Sequence, residues 1–206
     1  MTAFPVAASP IAAGPAPVLQ PDLHEALRIA THDVHQRLHR HRGFAAVQDG
    51  TIDRAAYARL LRRLFGFHRA FEIAADLPPQ RSLRLADDLA ALDNGGVALG
   101  PIALCGMLPA FAGPADILGG RYVVEGSALG GRGLARHLDT LLGTQASDGR
   151  RFFAGNGGDT GAVWRDYLAR LALVAPDPAA RQRVIAAAIA TFASFEVWLA
   201  DWDTPS

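Results

Sequence analysis

Residues 22–42, DLHEALRIATHDVHQRLHRHR, carry the pattern that sets the fold class. Leu23, Leu27, Ala30, Val34 and Leu38 recur at three- and four-residue steps, the mark of an amphipathic helix. Asp22 stands where an N-cap belongs, and Gly43-Phe44 break the pattern. Outward from this stretch the helical period continues almost to the end of the chain. Residues 50–79, GTIDRAAYARLLRRLFGFHRAFEIAADLPP, predict a second helix with Thr51 or Asp53 as cap and Pro78-Pro79 as terminator. A third helix is expected over Ser82–Leu92, ended by Asn94-Gly95-Gly96, and a short fourth over Pro101–Leu108. Residues 115–142 read as helical but glycine-laden. Two more helices, around Ala162–Leu173 and Pro178–Asp201, are split by Pro176-Asp177-Pro178. Alternating β patterns are missing and no fixed-period repeat occurs. The expectation is an all-α single domain over residues 22–203, a helical bundle, behind an Ala/Pro-rich flexible tail at 1–21.

A chain of 206 residues suits one domain with one sizeable core. Half of its residues are hydrophobic and 19% are charged, which excludes wholesale disorder. Twenty positive charges balance twenty negative ones, so net charge gives no argument for nucleic acid or an anionic membrane as partner. No apolar run in the sequence approaches the ~18–20 residues that span a bilayer. The tail lacks a basic n-region and its prolines interrupt any h-region, so export is not expected. The single cysteine, Cys105, excludes an internal disulfide and fits a reducing cytosol; a cytoplasmic location is expected.

Two segments carry chemistry. The opening helix holds five of the seven histidines. His35 lies about 100° of rotation from the centre of the apolar stripe, and Arg28, seven residues earlier, shares nearly its line about 10 Å up the axis. An imidazole and a cation so spaced can serve an iron and a carboxylate of one ligand. His35 and His39 form an i, i+4 pair, a spacing that also suits zinc, while His24, His32, His39 and His41 read as members of a solvated basic face. The second segment is RYVVEGSALGGRGLARHL, residues 121–138, where Gly126, Gly130, Gly131 and Gly133 fall within eight residues. Glycine costs about 1 kcal/mol against alanine inside a helix, so the cluster needs a reason. Either a flat ligand or another helix approaches a face without Cβ atoms, or the segment is a loop. No GxxxxGK[ST] and no preceding strand supports phosphate binding.

Residues 23–35, LHEALRIATHDVH, resemble the proximal-helix signature of haem oxygenases, matching at Leu27, Arg28, Ala30, Thr31 and His35. YVVEGSALGG, residues 122–131, resembles the distal-helix signature of the bacterial branch, in particular the biliverdin-producing enzymes that accompany bacteriophytochromes. The resemblance spans about residues 22–200.

That resemblance implies a haem-oxygenase-like bundle holding haem, at once cofactor and substrate, between a proximal and a distal helix. It makes His35 the iron ligand and Arg28 the partner of a propionate. Gly126, Ser127 and Gly130 would serve catalysis with dioxygen, by close backbone approach and by ordering water. Tyr122, Gly131, Phe192 and Phe195 would complete the haem pocket. Where the mammalian branch has an aspartate, the nearest residue here is Ser127, which leaves the proton relay open, with Arg132 and His137 as weaker candidates. Arg170 is a further candidate for the haem, and Arg62, Arg63 and Arg69 either form a solvated face or dock an electron donor, such as ferredoxin or a flavoprotein reductase. A bacteriophytochrome is the implied bilin acceptor. Two other functions fit less of the pattern. One is a non-catalytic haem-binding protein for storage or sensing. The other is a thiamin-related hydrolase of similar fold, which requires Cys105 or paired carboxylates near Glu125 in the cavity.

Overall fold

A computed structural model describes residues 22–93, 101–144, 148–155 and 159–203. The Ala/Pro-rich tail at 1–21 lies outside the described residues. All regular structure among the described residues is helical, as the apolar periods require.

The opening segment forms two helices, not one. α1 (Leu23–Ala30) starts at Asp22, whose side chain accepts from the Glu25 N–H at 2.7 Å. α2 (His32–His39) follows after a single residue, Thr31, with φ −109° and ψ 4°. The Thr31 hydroxyl donates to the Leu27 carbonyl at 2.8 Å, a back-bond that bends helices. α3 (Arg42–Gln48) begins at the expected Gly43 break, with the His41 ring accepting from the Gly43 N–H. α4 (Arg54–Ala74) is capped by Asp53, which accepts from Ala56 N–H at 2.7 Å. α5 (Gln80–Asp93) covers the expected third helix.

The expected helix over Pro101–Leu108 does not form; residues 101–112 run as an irregular strap. Its backbone is committed elsewhere: Cys105 N–H donates to the Gly66 carbonyl at 3.1 Å, and Arg62 reaches the Pro101 carbonyl at 2.8 Å. A Cβ at Gly66 would collide with the Ala103 carbonyl and lie 2.7 Å from the Trp198 ring. Gly66 therefore lets the strap cross α4 against its backbone.

The glycine-laden stretch is one continuous helix, α6 (Pro114–His137), followed by the short α7 (Asp139–Leu142). α8 (Arg151–Ala154), which the sequence did not suggest, is a single turn. The buried Asp88 of α5 accepts the N–H groups of Arg151 and Phe152, both at 2.8 Å, and so supplies the cap that α8 lacks locally. α9 (Thr160–Val174) and α10 (Pro178–Leu199) end the fold.

α10 lies along α6 as the largest helix pairing. A Cβ at Gly119 would strike the Val184 carbonyl and stand 2.8 Å from the Ala187 Cβ, so this glycine sets their close approach. Contrary to the sequence expectation, α10 is long and apolar enough, by length and composition, to cross a membrane. Its buried side, including Val184, Ala188, Phe192, Phe195 and Leu199, packs into the protein core. Leu60, Leu61, Leu64, Phe67 and Phe71 of α4 fill the main core, while Leu23 and Leu27 join Tyr167, Leu171 and Val184 in a second. Each such side chain contributes about 1.5–3 kcal/mol by burial, which seats α1 and α2 beside α10.

Candidate functional site

α1 and α2 contribute one wall of a cleft of about 470 Å³, and α6 contributes another. That volume falls within the roughly 300–1,000 Å³ usual for small-molecule and cofactor pockets. Arg28 and His35 line it from the first wall; Tyr122, Gly126, Ser127, Gly130 and Gly131 line it from α6; Phe192 and Phe195 line it from α10. The sequence candidates, from Arg28 near one end of the chain to Phe195 near the other, thus share one cavity because α10 packs against both α2 and α6.

His35 stands open to the cleft, edge-on to Phe192 at 6.3 Å between ring centroids and to His39 at 4.5 Å. Partial burial, then the neighbouring charges of His39 and His32, hold its pKa below the ordinary histidine value. Its imidazole is therefore biased towards the neutral form that ligates metals. Arg28, exposed at the rim, is held by Glu25 through two contacts of 2.7 and 2.8 Å. Tyr122 and Thr31 line the cleft from α6 and from the α1–α2 bend, and burial pushes the Tyr122 pKa up.

The glycines of α6 divide into two kinds. A Cβ at Gly120 would lie 2.6 Å from the Phe71 ring, and one at Gly131 would lie 3.3 Å from the Phe153 carbonyl. These, with Gly119, serve packing. At Gly126 a Cβ would reach only the Trp164 ring, at 3.9 Å, and at Gly130 and Gly133 it would meet nothing within 4 Å. All three border the cleft. Among the described residues no neighbouring helix packs closely against them. Ser127 donates its hydroxyl to the Val124 carbonyl at 2.8 Å, leaving its lone pairs to accept from the cleft side.

The weaker candidates separate. His137 borders the cleft, whereas Arg132 and Arg170 are exposed away from it. Arg62 and Arg63 are partly buried and engaged within the protein rather than purely solvated. Arg62 holds the strap; Arg63 donates to the Asp201 carbonyl at 3.0 Å and lies 4.7 Å over the Trp198 ring. The solvated histidine face also needs correction. His41 is half-buried, bonded at 3.0 Å to the Leu199 carbonyl, and His24 packs against Tyr122 and Trp164. His32 and His39 are exposed as expected, but they line the cleft.

Sequence reasoning missed His68 and Arg81. His68 of α4 is buried at the cleft between Phe67, Phe152 and Phe195, and its Nδ1 has no hydrogen-bond partner. Burial, and then the Arg81 charge, pushes its pKa well below the usual value. Its signal was present: Leu61, Leu64, His68 and Phe71 form an apolar stripe interrupted by one polar residue. Arg81, also at the cleft, pairs with Glu125 of α6 at 2.7 Å, and Arg121 holds the other Glu125 oxygen at 3.1 Å. Glu72, buried beneath, accepts from the Arg81 and Ser82 N–H groups and from the Ser82 hydroxyl, which caps α5.

A family model described as heme oxygenase matches residues 21–92 and 108–201. The chain belongs to the haem oxygenase family. Among solved structures, a haem oxygenase from Leptospira interrogans superposes with a TM-score of 0.70 at 16% sequence identity, over 88% of this chain and 100% of that one. That likeness is one of fold. No curated protein sequence matches the chain. Membership in the haem oxygenase family makes the protein an oxidoreductase that takes haem and needs an electron donor. The residues present fit such a group: the His35 imidazole open to the cleft, a helix face where added Cβ atoms would meet few of the described residues, and aromatic walls at Phe192 and Phe195. The thiamin-related hydrolase pattern is not assembled in this haem oxygenase fold. Neither Cys105 nor Glu125 lines the cleft, and Glu125 is committed to two arginines.

Proposed function

We propose that the protein cleaves haem oxidatively to biliverdin, carbon monoxide and ferrous iron. It uses dioxygen and electrons from a ferredoxin or a flavoprotein reductase, and works in the cytoplasm. The domain responsible is residues 22–203. The bacteriophytochrome-associated branch is the one its glycine-helix motif fits, with a bacteriophytochrome as bilin acceptor. The observation that carries the reading is the open glycine face of α6 bordering the same cleft as His35.

When bound, haem supplies both the iron that handles dioxygen and the carbon that is oxidised. His35 offers a neutral imidazole nitrogen to the iron. Arg28 exchanges Glu25 for a propionate, an exchange eased because that ion pair is exposed to water. Gly126 and Gly130 present bare backbone, so the ring is positioned sterically. Phe192, Phe195 and Gly131 with its Phe153 neighbour shape the pocket and exclude bulk water, and Tyr122, edge-on to Phe192, completes the wall. Ser127 accepts a hydrogen bond from ordered water. His68, neutral and with an unpartnered Nδ1, takes or gives a proton through such water. Neither group is a strong acid, which limits premature dioxygen cleavage.

The test adds one equivalent of haem, records the Soret band, then supplies ascorbate or ferredoxin with its reductase in air. Biliverdin absorbance should replace the Soret band, and His35→Ala should abolish turnover. A stable Soret band without bilin, with several competent donors and catalase present, would overturn the catalytic reading in favour of haem storage or sensing.

A further inference from the structure

His35 and His39 stand one turn apart on α2, and both line the cleft. Both side chains are exposed to it, and their ring centroids are 4.5 Å apart with planes inclined at 71°. This separation has chemical meaning. Imidazoles bind divalent transition metals at about 2.0–2.1 Å, and a ring nitrogen lies about 1.1 Å from its centroid, so two rings bound side by side on one metal have centroids about 4.5–5.2 Å apart. The two rings, one helical turn apart on the same face, are close enough for side-chain rotation alone to bring a nitrogen of each onto one metal, with the helix unchanged.

We propose that His35 and His39 form a two-imidazole site for a divalent transition metal in the haem-free protein. Imidazole selects zinc, copper and nickel over magnesium and calcium, with copper(II) bound most tightly. Among the described residues no third histidine, cysteine or carboxylate completes a cluster, so water fills the remaining positions and the metal exchanges readily. His35 is shared: resting on the haem reading above, metal and haem exclude one another, and free metal gates haem loading. His39 is the residue that distinguishes this site, since the proposed haem ligation needs His35 alone.

The experiment titrates the haem-free full chain with copper(II) and zinc by calorimetry, alongside His39→Ala, His35→Ala and His32→Ala, with thermal melts to verify folding. Chelation by two linked ligands strengthens binding by about 10²-fold or more over one, so His39→Ala and His35→Ala should each weaken copper by that factor, and His32→Ala should have little effect. The electron paramagnetic spectrum of the copper form should show nitrogen couplings from two imidazoles in the wild type and from one in His39→Ala. Stoichiometric zinc should slow the rise of the Soret band in the wild type and leave His39→Ala unaffected. Equal copper affinity in the wild type and folded His39→Ala, or coupling to fewer than two imidazoles in the wild type, would overturn the site. The metal titration contains no haem, so the two readings fail separately: failure of haem to bind sinks the oxygenase reading while the copper result still stands.

Discussion

Replacing Gly130 by alanine should stabilise the haem-free protein and damage its interaction with haem. The position is helical, exposed and borders the cleft, and an added Cβ would meet nothing within 4 Å. With no steric cost, the helix gains the difference between the two residues, about 0.8–1.0 kcal/mol. For a domain of this size 1 kcal/mol moves Tm by about 2–4 °C. The methyl group nevertheless stands where the macrocycle is proposed to lie. Overpacking a fitted site costs about 1–3 kcal/mol, a loss of roughly 5- to 150-fold in haem affinity, or a change in the ratio of bilin isomers if the ring shifts to escape it. Thermal melts of the haem-free protein, Soret titrations and chromatography of the bilin measure all three. Gly119→Ala is the control, because its Cβ would strike the Val184 carbonyl, so it should lower Tm. If Gly130→Ala lowers Tm, or raises it while leaving haem affinity and product unchanged, the argument that this face is kept bare for the ligand is wrong.

Two other changes test the buried polar groups. His68→Leu removes an imidazole whose Nδ1 is buried and unpartnered, so it should leave stability equal or raise it by about 1 kcal/mol, while slowing bilin formation in single-turnover assays; unchanged turnover would exclude a proton role. Asp88 has its pKa raised from 3.8 to about 6, chiefly by burial, against the pull of the Phe152 and Arg151 N–H groups. A raised carboxyl pKa means the folded form holds its proton longer than the unfolded one, so this group's contribution is greatest below about pH 4 and declines as pH rises through 6, by on the order of 3 kcal/mol in total. Denaturant midpoints from pH 4 to 7 should therefore fall with pH by a greater margin in the wild type than in Asp88→Asn; parallel profiles would refute the assignment.

The helices themselves were legible because each announces its own apolar stripe, and stripes are local. What escaped the sequence was non-local. The bend at Thr31, where the hydroxyl back-bonds to Leu27, is seated against α10, which packs on both α1 and α2. The strap over residues 101–112 was read as helix from Pro101, yet its amides and carbonyls are claimed by Gly66 and Arg62 of α4. α8 is one turn whose cap comes from Asp88 of α5, so nothing in its own residues marks it. At the site, His35 and the glycines stood out by motif. His68 lay hidden in an apolar stripe, and His41 and His24 read as solvated because their partners, Leu199 and Trp164, lie on later helices.

The same reasoning explains why the glycines of α6 could not be sorted by sequence. Each carries the same intrinsic penalty, and local pattern cannot tell which is repaid. At Gly119 and Gly120 the missing Cβ admits Val184 and Phe71, so close packing with α10 and α4 offsets the penalty. Among the described residues a Cβ at Gly130 or Gly133 would meet nothing within 4 Å, and one at Gly126 would meet only the Trp164 ring at 3.9 Å. Penalties of up to about 1 kcal/mol each, with so little packing to offset them, are a large share of the 5–15 kcal/mol by which a domain is stable. Selection for stability alone would replace them by alanine. Their place along one cleft-facing stretch of α6, which shares its cleft with the imidazole of His35, is what the proposed haem would use, by taking up the bare face and returning in binding what the helix gives up in folding.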